Sequence, residues 1–320
     1  MDVMEKLRKS KNFDKYKWIY FTHGKTTKNY KFENRMKNYE KVLFILAGYK
    51  QFTYDILFKR VKEFIPDDIE VCILSSGKYC EDLSKIAEEN DWSYLSTKRN
   101  CVSLIQNTAI NIFKNAKYIY KMDEDIFITK NFFDNLFKTL IECKKNSDYN
   151  PGFVAPTIPI NGFSNMLVLQ RYNLIDKYTK KFEKPKYAAG SERMIENNPE
   201  VAKFMWGEGK YLPNIDQMDY DLNKDKFDYV ACPIRFSIGA ILFERSLWED
   251  MYMFDVKHGS CMGLDESCIC SYCMISSKTI IVSKNTLVGH LSFGTQNKTM
   301  KEYFEKHKDV FDIHKIKGEE

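Results

Sequence analysis

Three consecutive acids, Asp123-Glu124-Asp125, close an apolar stretch that begins at Tyr118. Adjacent carboxylates repel one another, so such a triplet is costly unless a cation or hydrogen-bond donors offset the charge. Hard divalent cations prefer oxygen ligands of this kind. A second acidic pair, Asp265-Glu266, opens a helical pattern later in the chain, and His290 ends the apolar segment that follows. Carboxylates and an imidazole are side chains able to hold a divalent cation or to move a proton.

The elements that must position these groups are legible as alternating patterns. Residues 42–46 form a compact apolar strand ending in Ala47-Gly48-Tyr49. Residues 51–64 then carry Phe52, Ile56, Phe58, Val61 and Phe64 at helical spacings, and Pro66 stops the helix. Strands at 71–74 and 92–96, helices at 80–90 and from about residue 101, and the strand at Tyr118 continue the alternation. Repeated strand–helix units predict right-handed crossovers and an α/β domain with a mainly parallel central sheet flanked by helices. Ligands of such sheets collect at the carboxyl ends of the strands, where Gly48, Ser75, Arg99 and the acidic triplet fall.

Composition sets the frame. The 320 residues are 44% hydrophobic and 15% aromatic, which predicts a folded globular protein. No run is long and apolar enough for a membrane span, and the N-terminus lacks the apolar core of a signal peptide, so the chain is expected to be cytoplasmic. In such a compartment the nine cysteines are expected as reduced thiols. Cys261, Cys268, Cys270 and Cys273 crowd together without the paired knuckles of a structural zinc site, and read as small apolar positions of a buried helix. The net charge of +5 belongs to residues 1–40, which hold 11 Lys or Arg against 5 Asp or Glu. Their Tyr16, Trp18, Tyr20, Phe21 and Tyr30 are expected to pack on the main domain, with nucleic-acid or membrane-surface binding as the other reading.

No glycine-rich phosphate loop follows the first strand, which argues against a dinucleotide oxidoreductase or a P-loop enzyme. With its Asp-x-Asp form at the end of the fourth strand, the chain resembles the nucleotide-sugar-dependent glycosyltransferases of the GT-A fold, most closely family 2. Arg99-Asn100, Asn107 and Ala109 are similar to the Arg-Asn and the helix that precede this motif in many members. The run from Arg235 to Arg245 looks like the strand that sets a small residue, here Gly239, beside the donor sugar. Asp265-Glu266, a strand at 279–282 and His290 repeat the closing order. The resemblance implies a divalent metal, Mn or Mg, on Asp125 and His290, and donor contacts from Ala47, Gly48, Tyr49, Ser75, Arg99, Asp123, Glu124 and Gly239. It also implies a catalytic base in Asp265 or Glu266, with Asp265 favoured as a cap residue at the cleft mouth.

Two departures limit it. The acidic pair is reversed from the usual Glu-Asp, and Ser75-Ser76-Gly77-Lys78 stands where many members carry an Asp that reads uracil. Residues 150–230 break the regular pattern and are expected to build the acceptor side, with Trp206 as a stacking platform for a sugar or else an ordinary packed aromatic. The expectation is therefore a basic extension over 1–38, a single GT-A-like domain over 39–298 and a charged tail over 299–320. The expected activity is transfer of a sugar, with inversion, from a nucleotide-diphosphate sugar donor to a saccharide, lipid-linked or protein acceptor, without nucleic acid. Alternatives are a sugar-phosphate nucleotidyltransferase and a non-enzymatic binding protein using the basic N-terminus.

Overall fold

The computed structural model describes residues 13–208, 210–258 and 261–317. Residues 1–12 of the basic extension, Gly209 of the Trp206 segment and the last three residues of the tail therefore lie outside the description.

Val42, Leu43, Phe44 and Ile45 are almost wholly buried, as expected of a strand covered by helices on both faces. This strand, β2 (Lys41–Leu46), lies parallel between β3 (Ile69–Ser76) and β5 (Tyr118–Asp123), and β4 (Ser93–Thr97) lies parallel to β3. The helices Tyr54–Phe64, Glu81–Glu89 and Val102–Ile112 make the connections. The first ends at Ile65, whose extended backbone is what a residue before Pro66 must adopt.

Beyond β5 the sheet stops being parallel. With β1 (Tyr30–Glu33), β7 (Pro151–Thr157), β8 (Tyr229–Cys232), β9 (Ala240–Glu244) and β10 (Thr279–Leu287), the strand order is β1-β4-β3-β2-β5-β9-β7-β10-β8. β9 runs antiparallel to both β5 and β7, β1 and β8 add antiparallel edges, and only β7 and β10 pair in parallel. The α/β class holds, but the sheet is mixed and not mainly parallel. β9 is inserted between β5 and β7 and runs opposite to both.

Segments expected outside the domain are packed into it. β1 pairs with β4, and Trp18 stacks edge-on against Trp248 at 6.0 Å, while Tyr16 and Tyr20 stay exposed. At the other end, Met300, Tyr303, Phe304 and Phe311 are buried with Phe127 and Trp206 in a second hydrophobic cluster. Arg60, fully buried, donates to the carbonyls of Ile128, Phe311 and Asp312 and forms a bidentate pair with Asp216. A guanidinium so completely paired fixes the chain after residue 306 to the domain.

The reduced-thiol expectation fails at one pair: Cys101 and Cys261 form a disulfide across 160 residues of sequence. The seven other cysteines are free, and Cys270 and Cys273 are buried on the helix Leu264–Ile275, as their apolar spacing predicts. Among the described residues, no helix is long and apolar enough to cross a membrane.

Candidate active site

Three residues after Asp123 the chain forms a two-residue strand, β6 (Ile126–Phe127), which pairs antiparallel with β11 (Gly289–His290). Ile126 faces His290, and the Leu291 amide donates to the Asp125 carbonyl at 2.9 Å. This pairing alone sets His290 beside Asp125, with Nε2 3.5 Å from Oδ2. A Cβ on Gly289 would lie 2.2 Å from the Trp206 ring, so a side chain there would push the ladder apart.

Asp125 and His290 are both more than nine-tenths buried. Burial opposes charge on Asp125, but Lys50 and then His290 outweigh it and hold the carboxyl well below the usual range. For His290, burial is likewise outweighed by Asp125, and its pKa lies above the ordinary value. The other ring nitrogen, Nδ1, lies 3.0 Å from the Ile160 carbonyl. With Nδ1–H donating there, Nε2 is the nitrogen turned to Asp125, and the neutral ring would offer it to a metal in the orientation of metal-binding histidines. One oxygen and one nitrogen ligand fit a divalent ion that takes its remaining ligands from a diphosphate and water. No cluster of three or more side-chain ligands exists among the described residues, so a closed structural site is not what the chain builds.

Asp123 lies at the rim, its side chain 37% exposed, and its amide donates to the Gly239 carbonyl at 2.9 Å. Two residues back on the same face of β5, Lys121 is almost fully buried. Its ammonium bonds Asp123 Oδ1 at 2.7 Å and the Ile238 carbonyl at 2.7 Å. Burial opposes the Lys121 charge, but Asp123 and then Asp265 more than offset it and raise its pKa. The Asp123 carboxyl is pushed up to about 6 by its enclosure, against the pull of Lys121.

The acidic pair sits in the first turn of the helix Leu264–Ile275, after Gly263 in the left-handed region. Asp265 is therefore inside the helix and not its cap. It is buried, and Oδ2 accepts from Gln106 Nε2 at 2.8 Å. Glu266 is more open. Its Oε1 lies 3.2 Å from Arg235 Nε, its Oε2 accepts from the Ile238 amide at 3.3 Å, and burial raises its pKa against the opposing pull of Arg235.

These groups line one cleft of about 390 Å³. Ala47, Tyr49, Asp123, Glu124, Asp125, Gly239, Asp265, Glu266 and His290 all reach it, whereas Gly48 does not line it. Three expected donor contacts are engaged otherwise. Glu124 touches the cleft, but its carboxylate accepts from the Gly48 and Tyr49 amides at 2.8 and 3.0 Å and lies 3.3 Å from the Tyr54 hydroxyl. It pins the loop after β2, where Gly48 adopts φ +141°, a conformation open to glycine. Ser75 is buried and donates to the Lys78 carbonyl, leaving Ser76 to face the cleft. Arg99 is exposed, does not line the cleft and bonds the Lys257 carbonyl.

Trp206 is not a stacking platform. It is 5% exposed and donates its indole N–H to the His290 carbonyl at 3.0 Å. Sequence reasoning missed Lys121 and Lys50. A lysine in the apolar strand 118–122, in phase with Asp123, was a usable signal for the first, whereas Lys50 follows a glycine turn and carried none.

No protein-family model matches the chain, and no curated protein does. Solved structures similar to it include GalNAc-T7 with UDP, GalNAc and Mn2+, at 12% identity and a TM-score of 0.46, covering 81% of this chain and 45% of that one. Another is the mannosyltransferase PcManGT from Pyrobaculum calidifontis with GDP-Man and Mn2+, at 13% identity and a TM-score of 0.47, covering 88% of this chain and 67% of that one.

Proposed function

We propose that this chain is a GT-A-like, metal-dependent glycosyltransferase that moves a sugar from a nucleotide-diphosphate donor to a hydroxyl acceptor. One observation carries the reading. Asp123, Asp125, Asp265, Glu266 and His290, drawn from three separate parts of the sequence, line a single cleft at the carboxyl end of β5.

Asp125 and His290 would hold a divalent ion, Mn or Mg, and this ion would supply positive charge for the leaving diphosphate. The chain's own residues do the rest. Asp123, fixed by Lys121, faces the donor beside Gly239. Glu266, the more open of the acidic pair, takes the proton from the attacking hydroxyl while Arg235 orients its carboxylate. Asp265, held by Gln106, keeps Lys121 charged. With Glu266 as the base, direct displacement with inversion is the expected course. The acceptor is a saccharide, a lipid-linked sugar or a protein hydroxyl.

The test is a thermal-shift series with UDP, GDP and their sugars, with and without Mn2+. A ligand that binds the native state raises the melting temperature. The expected result is a metal-dependent rise that Asp125→Asn abolishes. A series without any metal-dependent shift would sink the reading.

A further inference from the structure

Asp125 already has a cation. The Lys50 ammonium is ion-paired with Asp125 Oδ2, the same oxygen that His290 Nε2 faces at 3.5 Å. It also lies 3.2 Å from Asn297 Oδ1, which accepts from the Ser292 hydroxyl at 2.9 Å. Lys50 is thus the fourth member of a group formed by Asp125, His290 and Asn297, on the wall of the same cleft.

The base of Lys50 is fixed while its end is adjustable. Its carbonyl accepts from the Thr53 amide at 2.9 Å, and the amides of Gly48 and Tyr49 just before it are held on Glu124. Four methylenes separate this anchored backbone from the ammonium, which can reorient at small cost. Two cations cannot share one carboxylate oxygen without repulsion. A divalent ion arriving at Asp125 must therefore displace the ammonium, and the anchored stem keeps the displaced charge inside the cleft. The counter-charge it would meet there is a diphosphate oxygen.

We propose that Lys50 is the resident cation of this site, closing Asp125 against a metal ion alone and moving to the diphosphate when metal and donor bind together. This rests on the reading of Asp125 and His290 as metal ligands. Metal and diphosphate then bind cooperatively. The ion relieves Lys50 of its carboxylate, the diphosphate supplies a new partner, and each improves binding of the other.

The experiment measures Mn2+ binding to the purified 320-residue chain by electron paramagnetic resonance, then UDP and GDP binding at saturating Mn2+ by calorimetry. The proteins are the wild type, Lys50→Met and Lys50→Gln, the second variant serving if the first does not fold. Removing the competing ammonium is expected to tighten binding of Mn2+ alone by about tenfold and to weaken Mn2+-dependent nucleotide binding by a similar factor. If Mn2+ binds all three proteins alike, or the variants more weakly, the proposal is overturned while the metal reading stands. Unchanged nucleotide affinity in the variants overturns it equally. If Mn2+ binds none of them, the metal reading falls and the proposal with it.

Discussion

Trp206 donates its indole N–H to the His290 carbonyl at 3.0 Å, and its ring covers Gly289 so closely that no side chain fits there. An aromatic from the irregular middle of the chain thus supports the backbone of the proposed metal ligand. Trp206→Ala is expected to cost about 3 to 5 kcal/mol through the cavity it leaves. Trp206→Phe keeps most of the packing and loses the hydrogen bond, for about 1 kcal/mol. Chemical denaturation separates the two. The Phe variant should also bind Mn2+ more weakly while acceptor KM stays unchanged, and a selective rise in acceptor KM would restore the stacking role.

Lys121 is the buried counter-ion of the cleft. Replacing it with Met leaves Asp123 and Asp265 facing one another without their shared cation, with only Arg235 remaining beside Glu266. Full burial of such a cluster would cost more, but Asp123 is 37% exposed and partly screened, so a loss of about 2 to 3 kcal/mol is expected. Urea unfolding measures this. Donor hydrolysis by the folded fraction should fall as well, because Asp123 loses the group that orients it.

Glu266 predicts the acid limb of the activity profile. Burial raises its pKa and Arg235 opposes the rise, so kcat/KM should fall with decreasing pH at a value above the ordinary glutamate range. Removing Arg235 as Arg235→Gln takes away the opposing pull and should move that limb to higher pH. The stability sign follows from linkage. A carboxyl with a raised folded-state pKa contributes stability that is present below its unfolded value and lost as pH rises through the folded one. Steady-state rates from pH 4 to 8 would count against Glu266 as the base if the limb did not move in the Arg235 variant.

The disulfide joins Cys101, at the start of the helix Val102–Ile112, to Cys261, shortly before the acidic pair. Arg99 adds a bond from the same neighbourhood to the Lys257 carbonyl. Reduction should lower stability by about 2 to 4 kcal/mol and loosen the segment before residue 264. Differential scanning calorimetry with and without reductant checks the first. Hydrogen exchange at residues 261–266 checks the second.

The half of the sheet formed by β2, β3, β4 and β5 was legible because strands covered on both faces must be continuously apolar, and the helices between them carry the 3.6-residue period. The acidic triplet, Asp265-Glu266 and His290 were legible as chemistry, since few residue types hold cations or move protons. The direction of β9 was not, because an isolated apolar run fits either orientation. Nor was the burial of residues 297–311, whose charged helix hides Met300, Tyr303 and Phe304 on one face.

What only the tertiary structure decided is which groups meet. A two-residue pairing between β6 and β11, too short for any periodicity, sets His290 against Asp125. The three acids of the triplet, alike in sequence, take different partners because the chain turns at Glu124 and Asp125 between β5 and β6 and sends the three side chains in different directions. Glu124 turns to the amides of Gly48 and Tyr49, Asp123 to Lys121, and Asp125 to Lys50 and His290. The sequence determined that the carboxylates are present, and long-range packing determined which partners each one meets.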